Sequence, residues 1–219
     1  MEAGRETGWP RLTRGIHWLT VLGILVIVPA GYVMTDTYFT QDPARAALHV
    51  TASQVHHTTG FLLLLVFVPR LLSRLRARPE ARKRLPALER FGANLIQALL
   101  YAILLALPLT GWAALSSIAP DPQIPEVKIW FFGHDGFGEG GLIPRIARPI
   151  AWNSEEFFRY KMFGTLHRGL LIAGAVTLTL HIAAALRHHF MLKDEILQDM
   201  ILPKDAPAAP DASRAGESG

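Results

Sequence analysis

Residues 161–189, KMFGTLHRGLLIAGAVTLTLHIAAALRHH, are the stretch that decides the fold of this chain. After Arg168, the run from Gly169 to Leu180 is apolar apart from small residues and two threonines, as expected for a helix that crosses a membrane. The two histidines are 14 positions apart. In an α-helix this spacing is about 40° short of four full turns and spans about 21 Å. Both imidazoles therefore lie on nearly the same helix face, at two depths.

An imidazole inside a bilayer is energetically costly and is by default the mark of a functional site. His167 and His181 each need a polar partner at their own depth. The sequence therefore predicts that other spans supply these partners.

The composition of the chain favours a small membrane protein that crosses the bilayer several times. Half of its 219 residues are hydrophobic, and the mean hydropathy is +0.25. There is no cysteine, which excludes disulfides, Cys-ligated iron–sulfur clusters and thiolate chemistry. The first apolar run starts near Ile16 and is too long for the core of a cleaved signal peptide, so we expect it to remain as a span.

The hydropathy pattern predicts an all-α membrane protein, a bundle of four transmembrane helices. The predicted spans are residues 16–34, 46–72, 92–117 and 162–187. They form one domain, residues 16–192, between a polar segment at 1–15 and a flexible tail at 193–219. The link at 118–160 is rich in Pro, Gly and aromatic residues, and its apolar clusters predict a short amphipathic helix or a cap on the membrane surface.

The charge pattern predicts the orientation of the bundle. Residues 70–90 contain eight Lys and Arg but only two Glu. Short basic loops stay in the cytoplasm, so the link between the second and third spans lies inside and both termini are cytoplasmic. The same basic residues suit anionic lipid headgroups, and we expect no nucleic-acid partner. The predicted location is the bacterial inner membrane.

This orientation assigns the histidines to two depths. His17 begins the first span and lies at the inner level with His181, while His167 lies at the outer level. Three histidines near the start of the second span are candidate partners for His167, and helix geometry alone does not choose among them: His49, His56 and His57. His49 and His56 share a helix face, and His57 points about 100° away from His56.

Two histidine pairs from different helices fit two b-type haems, each held by two axial imidazoles. A copper or zinc site of histidines is an alternative, but it usually takes a third or fourth ligand, and no Cys, Asp or Glu lies in the predicted spans. A histidine-lined transporter without a redox role is a further alternative. Histidines at span ends or in loops are expected to be interfacial: His49, His134, His188 and His189.

Several motifs, in this order and spacing, resemble the bacterial cytochrome b561 family. They are RLTRGIHWL from Arg11, H-x-x-x-G from His56, RLLSRL from Arg70, ALPLTGW from Ala106, TLH ending at His167, and LHIAAALRHHF-x-x-KD from Leu180. The resemblance covers residues 11–202. It implies four axial ligands to two haem b groups: His17, His56, His167 and His181. It selects His56 among the histidines of the second span, and it assigns His17–His181 to the inner haem and His56–His167 to the outer one.

The resemblance further implies transfer of electrons across the membrane to the quinone pool, with superoxide a candidate donor on the periplasmic side. That reading makes the protein an oxidoreductase. Positive residues near His167 could attract a small anion, although interfacial anchoring explains them equally well: Arg159, Lys161 and Arg168. The alternative is a cytochrome b membrane subunit of a larger dehydrogenase or hydrogenase.

Overall fold

The computed structural model describes residues 9–76, 86–118, 137, 143–151, 158–194 and 196–201. Within these ranges the structure is helical, apart from one isolated β-bridge between Ile118 and Ile150. The helices are α1 (Arg11–Asp36), α2 (Pro43–Arg76), α3 (Ala87–Ser116), α4 (Phe158–Arg187) and α5 (Ile196–Ile201), and a π-helical turn, His188–Leu192, continues α4.

Four of these helices are long and apolar enough to cross a membrane, which confirms the predicted all-α fold with four spans. Each long helix extends beyond its predicted apolar span at one or both ends. Helical hydrogen bonding continues into the polar residues of the interface, where hydropathy no longer marks it. α2, for example, passes through Pro69 and ends at Arg76.

The bundle consists of two helix hairpins. α1 packs along α2, α3 packs along α4, and contacts between α2 and α3 join the two pairs. Small residues permit the close approach: a Cβ atom at Gly23 would lie 2.7 Å from the Leu63 side chain, and one at Gly174 would lie 3.2 Å from Ile103. Such small-residue contacts replace the hydrophobic effect as the basis of helix packing in lipid. Large apolar side chains such as Leu65 point outward.

Two segments outside the spans fold back onto the bundle. At the end of α3, Arg145 Nη1 donates to the carbonyl oxygens of Ser116 (2.9 Å) and Ile118 (2.8 Å), and Trp112 Nε1 donates to Pro144 O at 2.9 Å. Residues 143–151 thus cap this end of α3. The amphipathic helix or membrane-surface cap predicted in the link falls largely on residues outside the described ranges.

The opposite end of the bundle carries α5. Trp18 Nε1, at the start of α1, donates to Met200 O of α5 at 3.0 Å. Arg187 at the end of α4 pairs with Glu89 at the start of α3 at 3.2 Å. The predicted tail therefore begins with a short helix that returns to α1, and residues 202–219 lie outside the described ranges.

Candidate functional site

The structure brings His56 of α2 and His167 of α4 together. Their ring centroids are 6.2 Å apart and the ring planes make an angle of 72°. Both side chains are half-buried. Helix packing thus selects His56, among the three histidines near the start of the second span, to face His167.

His56 is held by a backbone group of α1. Its Nδ1 lies 3.0 Å from the carbonyl oxygen of Ile27. The carbonyl can only accept, so Nδ1 carries the proton and donates it. One turn further along α1, Gly31 lets the ring approach, because a Cβ atom there would lie 2.8 Å from His56 Cε1 and Nδ1.

His167 is held by α3 in the same way. Its Nδ1 lies 2.9 Å from Leu107 O and 3.2 Å from Thr110 Oγ1. Gly111 follows Leu107 by four residues, as Gly31 follows Ile27, and a Cβ atom at Gly111 would lie 3.3 Å from His167 Cε1. α3 contains no histidine of its own, but it positions His167.

These hydrogen bonds prepare both imidazoles to bind a metal. With the proton fixed on Nδ1, the lone pair of Nε2 is free, and a carbonyl partner at Nδ1 is the usual support of a ligating histidine. Two imidazoles that share one metal, with metal–nitrogen bonds of about 2 Å on each side, have ring centroids about 6 Å apart. The observed 6.2 Å would allow these two histidines to hold one metal centre between them.

The second pair, His17 of α1 and His181 of α4, lies at the opposite level of the bundle. Both side chains are half-buried. Arg70 Nη2 lies 3.0 Å from His17 Nδ1. The surroundings of His17 therefore differ from those of the outer pair, since a donor and not an acceptor faces Nδ1.

The remaining histidines have other surroundings. His49 Nδ1 lies 2.9 Å from Met34 O, and its ring packs against Tyr38, so it joins the C-terminal end of α1 to the N-terminal part of α2. His57 Nδ1 is buried and has no hydrogen-bond partner in the described part of the chain. His188 pairs with Asp194. His134 lies outside the described ranges.

Within the described ranges, no group of three or more His, Cys, Asp or Glu side chains is arranged to hold a metal ion. A pair of axial donors is what a haem requires from the protein, because the macrocycle supplies the other four nitrogens.

Comparison with known sequences gives the family. A sequence model of the prokaryotic cytochrome b561 family matches residues 8–203. The chain belongs to this family. A curated relative, cytochrome b561 homolog 1 of Escherichia coli (strain K12), is 25% identical over 187 residues, which cover 85% of this chain and 92% of the relative. Membership in the cytochrome b561 family implies that this multi-pass membrane protein binds haem b, and the donors at His56 and His167 fit that group.

Sequence reasoning named the four histidines of this cytochrome b561 chain but missed the groups that hold them. The backbone groups that hold His56 and His167 lie in two stretches with a common sequence feature, IVPAG ending at Gly31 and LPLTG ending at Gly111. Each ends in a glycine two or three residues after a proline inside an apolar span. Arg70 was also missed as a site residue, since its position among basic residues marked it only as the end of a span.

Proposed function

We propose that this protein is a di-haem b-type cytochrome that carries electrons across the bacterial inner membrane. His56 and His167 hold the outer haem, and His17 and His181 hold the inner one. The donor is on the periplasmic side, with superoxide as the candidate, and the acceptor is the quinone pool.

The observation that carries this proposal is the outer pair. Two half-buried imidazoles face each other with centroids 6.2 Å apart, and each has its Nδ1 fixed by a backbone carbonyl. A bound haem supplies one-electron chemistry at its iron. The residues of the chain hold the ring in place and, through their hydrogen bonds and burial, set its potential.

The spacing along α4 supports transfer across the membrane. His167 and His181 are 14 residues apart on one helix, which corresponds to about 21 Å of rise. If the two histidine pairs hold haems, redox groups would lie at two depths along one helix, and an electron could pass directly between them.

The overall reaction balances with superoxide and quinone as substrates. Two superoxide anions each lose one electron and become O₂, and one quinone takes up two electrons and two protons to give the quinol. Lys161 and Arg168 are exposed on α4 near His167 and place positive charge there, which would attract an anionic donor. The side chain of Arg159 lies outside the described part.

The domain organisation and orientation belong to the same proposal. One bundle, residues 16–192, spans the membrane with both termini in the cytoplasm. The basic link between α2 and α3 supports this orientation, as do the basic residues of the polar first segment and Arg187 at the end of α4.

The first test is the haem-to-protein ratio, together with a reduced-minus-oxidised spectrum, of detergent-purified protein. We expect two low-spin b haems per chain. His56→Ala and His167→Ala should each remove one haem and leave the other, and His17→Ala and His181→Ala should remove the remaining one. His57→Ala, next to His56, is the matched control and should retain both. A wild-type protein without haem would refute the proposal.

A second test addresses the substrates. Superoxide should reduce the purified protein, and added quinone should reoxidise it, with both steps slowed in His56→Ala. If the wild-type protein does not react with superoxide but accepts electrons from quinol, it is still an electron carrier, but superoxide is not its donor.

A further inference from the structure

A cluster of polar and aromatic side chains joins the two helix hairpins at the end of the bundle that carries α5. Arg74, near the end of α2, donates from Nη2 to Gln97 Oε1 of α3 at 3.0 Å. Its guanidinium also lies over the Trp9 ring, with Cζ 5.2 Å from the ring centroid. Trp9 is buried and directly precedes Pro10, the N-cap of α1. The cluster therefore brings together α2, α3 and the segment before α1.

These contacts leave hydrogen-bond donors available. A guanidinium can only donate, so the amide oxygen of Gln97 faces Arg74 and the amide NH2 group points away from it. The bond to Gln97 uses one nitrogen of Arg74, and stacking on an indole covers the face of the guanidinium but not the edge along which its N–H groups point. Arg74 and Gln97 are half-buried, so a ligand can reach them from outside the bundle.

A second cation lies near the rim of this cluster. Arg90 precedes Gln97 on α3 by seven residues. This spacing is about 20° short of two turns and corresponds to about 10 Å of rise, so the two residues share one face of the helix. Arg90 is exposed. We refer to Trp9, Arg74, Gln97 and Arg90 as the Arg74 cluster.

The helices that form this cluster offer it no carboxylate. α2 contains no acidic residue. Glu89 is the one acidic residue of α3, and it pairs with Arg187 of α4 at 3.2 Å. Glu80, in the link between α2 and α3, lies outside the described ranges. The Arg74 cluster thus combines two cations with amide donors, a set that favours an anionic ligand.

The position of the cluster indicates which anion it meets. α2 ends at Arg76, two residues after Arg74, so the cluster lies where the second span leaves the membrane. Tryptophan is enriched at this level, as Trp9 illustrates. Lipid phosphates lie there too, and basic sites between helices on the cytoplasmic side bind anionic headgroups. The planar fork of an arginine matches the geometry of a phosphate.

We propose that the Arg74 cluster is a binding site for an anionic phospholipid. The free edge of Arg74 and the NH2 group of Gln97 donate to the lipid phosphate, and Arg90 attracts the headgroup from the rim. Because Arg74 belongs to one helix hairpin and Gln97 to the other, the bound headgroup bridges the two hairpins. The lipid therefore stabilises their association at this end of the bundle.

The proposal is tested with the full-length protein in nanodiscs of phosphatidylcholine, with and without phosphatidylglycerol. Phosphatidylglycerol should raise the melting temperature, and native mass spectrometry should detect it retained in preference to phosphatidylcholine. Arg74→Gln should weaken its binding about tenfold or more. Arg76→Gln is the matched control, because Arg76 is exposed and lies about 200° around α2 from Arg74. It removes the same charge and should retain the preference.

A second variant covers the case in which Arg74→Gln does not fold. Arg90 is exposed at the start of α3, so Arg90→Gln should leave the fold intact and still weaken phosphatidylglycerol binding severalfold, by loss of the rim charge. Unchanged binding in Arg90→Gln, or equal losses in Arg74→Gln and Arg76→Gln, would overturn the proposal. The latter result would assign the preference to general positive charge.

Three further results would also overturn it. The first is a wild-type protein with no preference for phosphatidylglycerol. The second is full stabilisation by inorganic phosphate in pure phosphatidylcholine, which would make the ligand a free anion. The third is a strong increase of phosphatidylglycerol binding in Glu80→Gln, which would mean that Glu80 occupies the site. We expect no effect of inorganic phosphate and unchanged binding in Glu80→Gln.

Discussion

Gly31 lies so close to His56 that a Cβ atom at residue 31 would be 2.8 Å from two atoms of the imidazole ring. The same ring is anchored to Ile27 O, one turn earlier on α1. The ring is therefore confined between a backbone acceptor and a glycine of the same helix. α3 repeats this arrangement around His167, with Leu107 O and Gly111.

Substitution of Gly31 by alanine tests this confinement. The added methyl group must displace the His56 ring and weaken its hydrogen bond to Ile27 O, so Gly31→Ala should lower the haem-to-protein ratio toward one by loss of the outer haem. Gly111→Ala, where the contact would be 3.3 Å, should have a smaller effect. Gly92→Ala meets nothing within 4 Å and is the control. Full haem content in Gly31→Ala would contradict this account of the outer site.

His49 is expected to stabilise the fold without holding haem. Its hydrogen bond to Met34 O and its contact with Tyr38 join the C-terminal end of α1 to the N-terminal part of α2. His49→Ala should therefore lower the free energy of unfolding by about 1 kcal/mol and leave two haems in place. Thermal melting and the haem ratio measure the two effects, with Val50→Ala, at an exposed neighbouring position, as control. Loss of the outer haem would instead make His49 a ligand.

Arg145 is expected to keep the cap of residues 143–151 on α3. Its Nη1 donates to two carbonyl oxygens at the end of that helix, and each such charge-assisted bond contributes about 1.5–3 kcal/mol. Arg145→Ala should therefore speed cleavage of the cap by proteinase K about tenfold or more. Arg148→Ala, at an exposed position of the same segment, should leave the rate unchanged. Equal rates in wild type and Arg145→Ala would mean that other contacts hold the cap.

The orientation of the bundle can be checked with reporter fusions. The link between α2 and α3 carries a large excess of positive charge, and translocation of Lys and Arg is disfavoured. A phosphatase fused near Arg82 should be inactive, and a fluorescent protein at the same position should be bright. A second fusion in the link at 118–160 should give the reverse pattern. An active phosphatase near Arg82 would overturn the proposed orientation.

Much of the fold was predictable because it depends on local properties of the chain. Hydropathy over about 20 residues is enough to find a span, and all four predicted spans are helices of the structure. The ends were less predictable. α5 was missed because a six-residue helix in a polar tail has no hydropathy signal, and only its contact with Trp18 reveals where it packs.

The sequence by itself determined the shared face of His167 and His181 and their separation, since the rise and rotation of an α-helix fix both. It could not determine which histidine of α2 faces His167 or which carbonyl oxygens accept hydrogen bonds from the Nδ1 atoms. It also could not determine that Arg70 donates a hydrogen bond to His17. Those relationships depend on how four helices rotate and slide against one another. Contacts between residues far apart in the chain, such as His56 and His167, decide them, and no local pattern in the chain encodes such contacts.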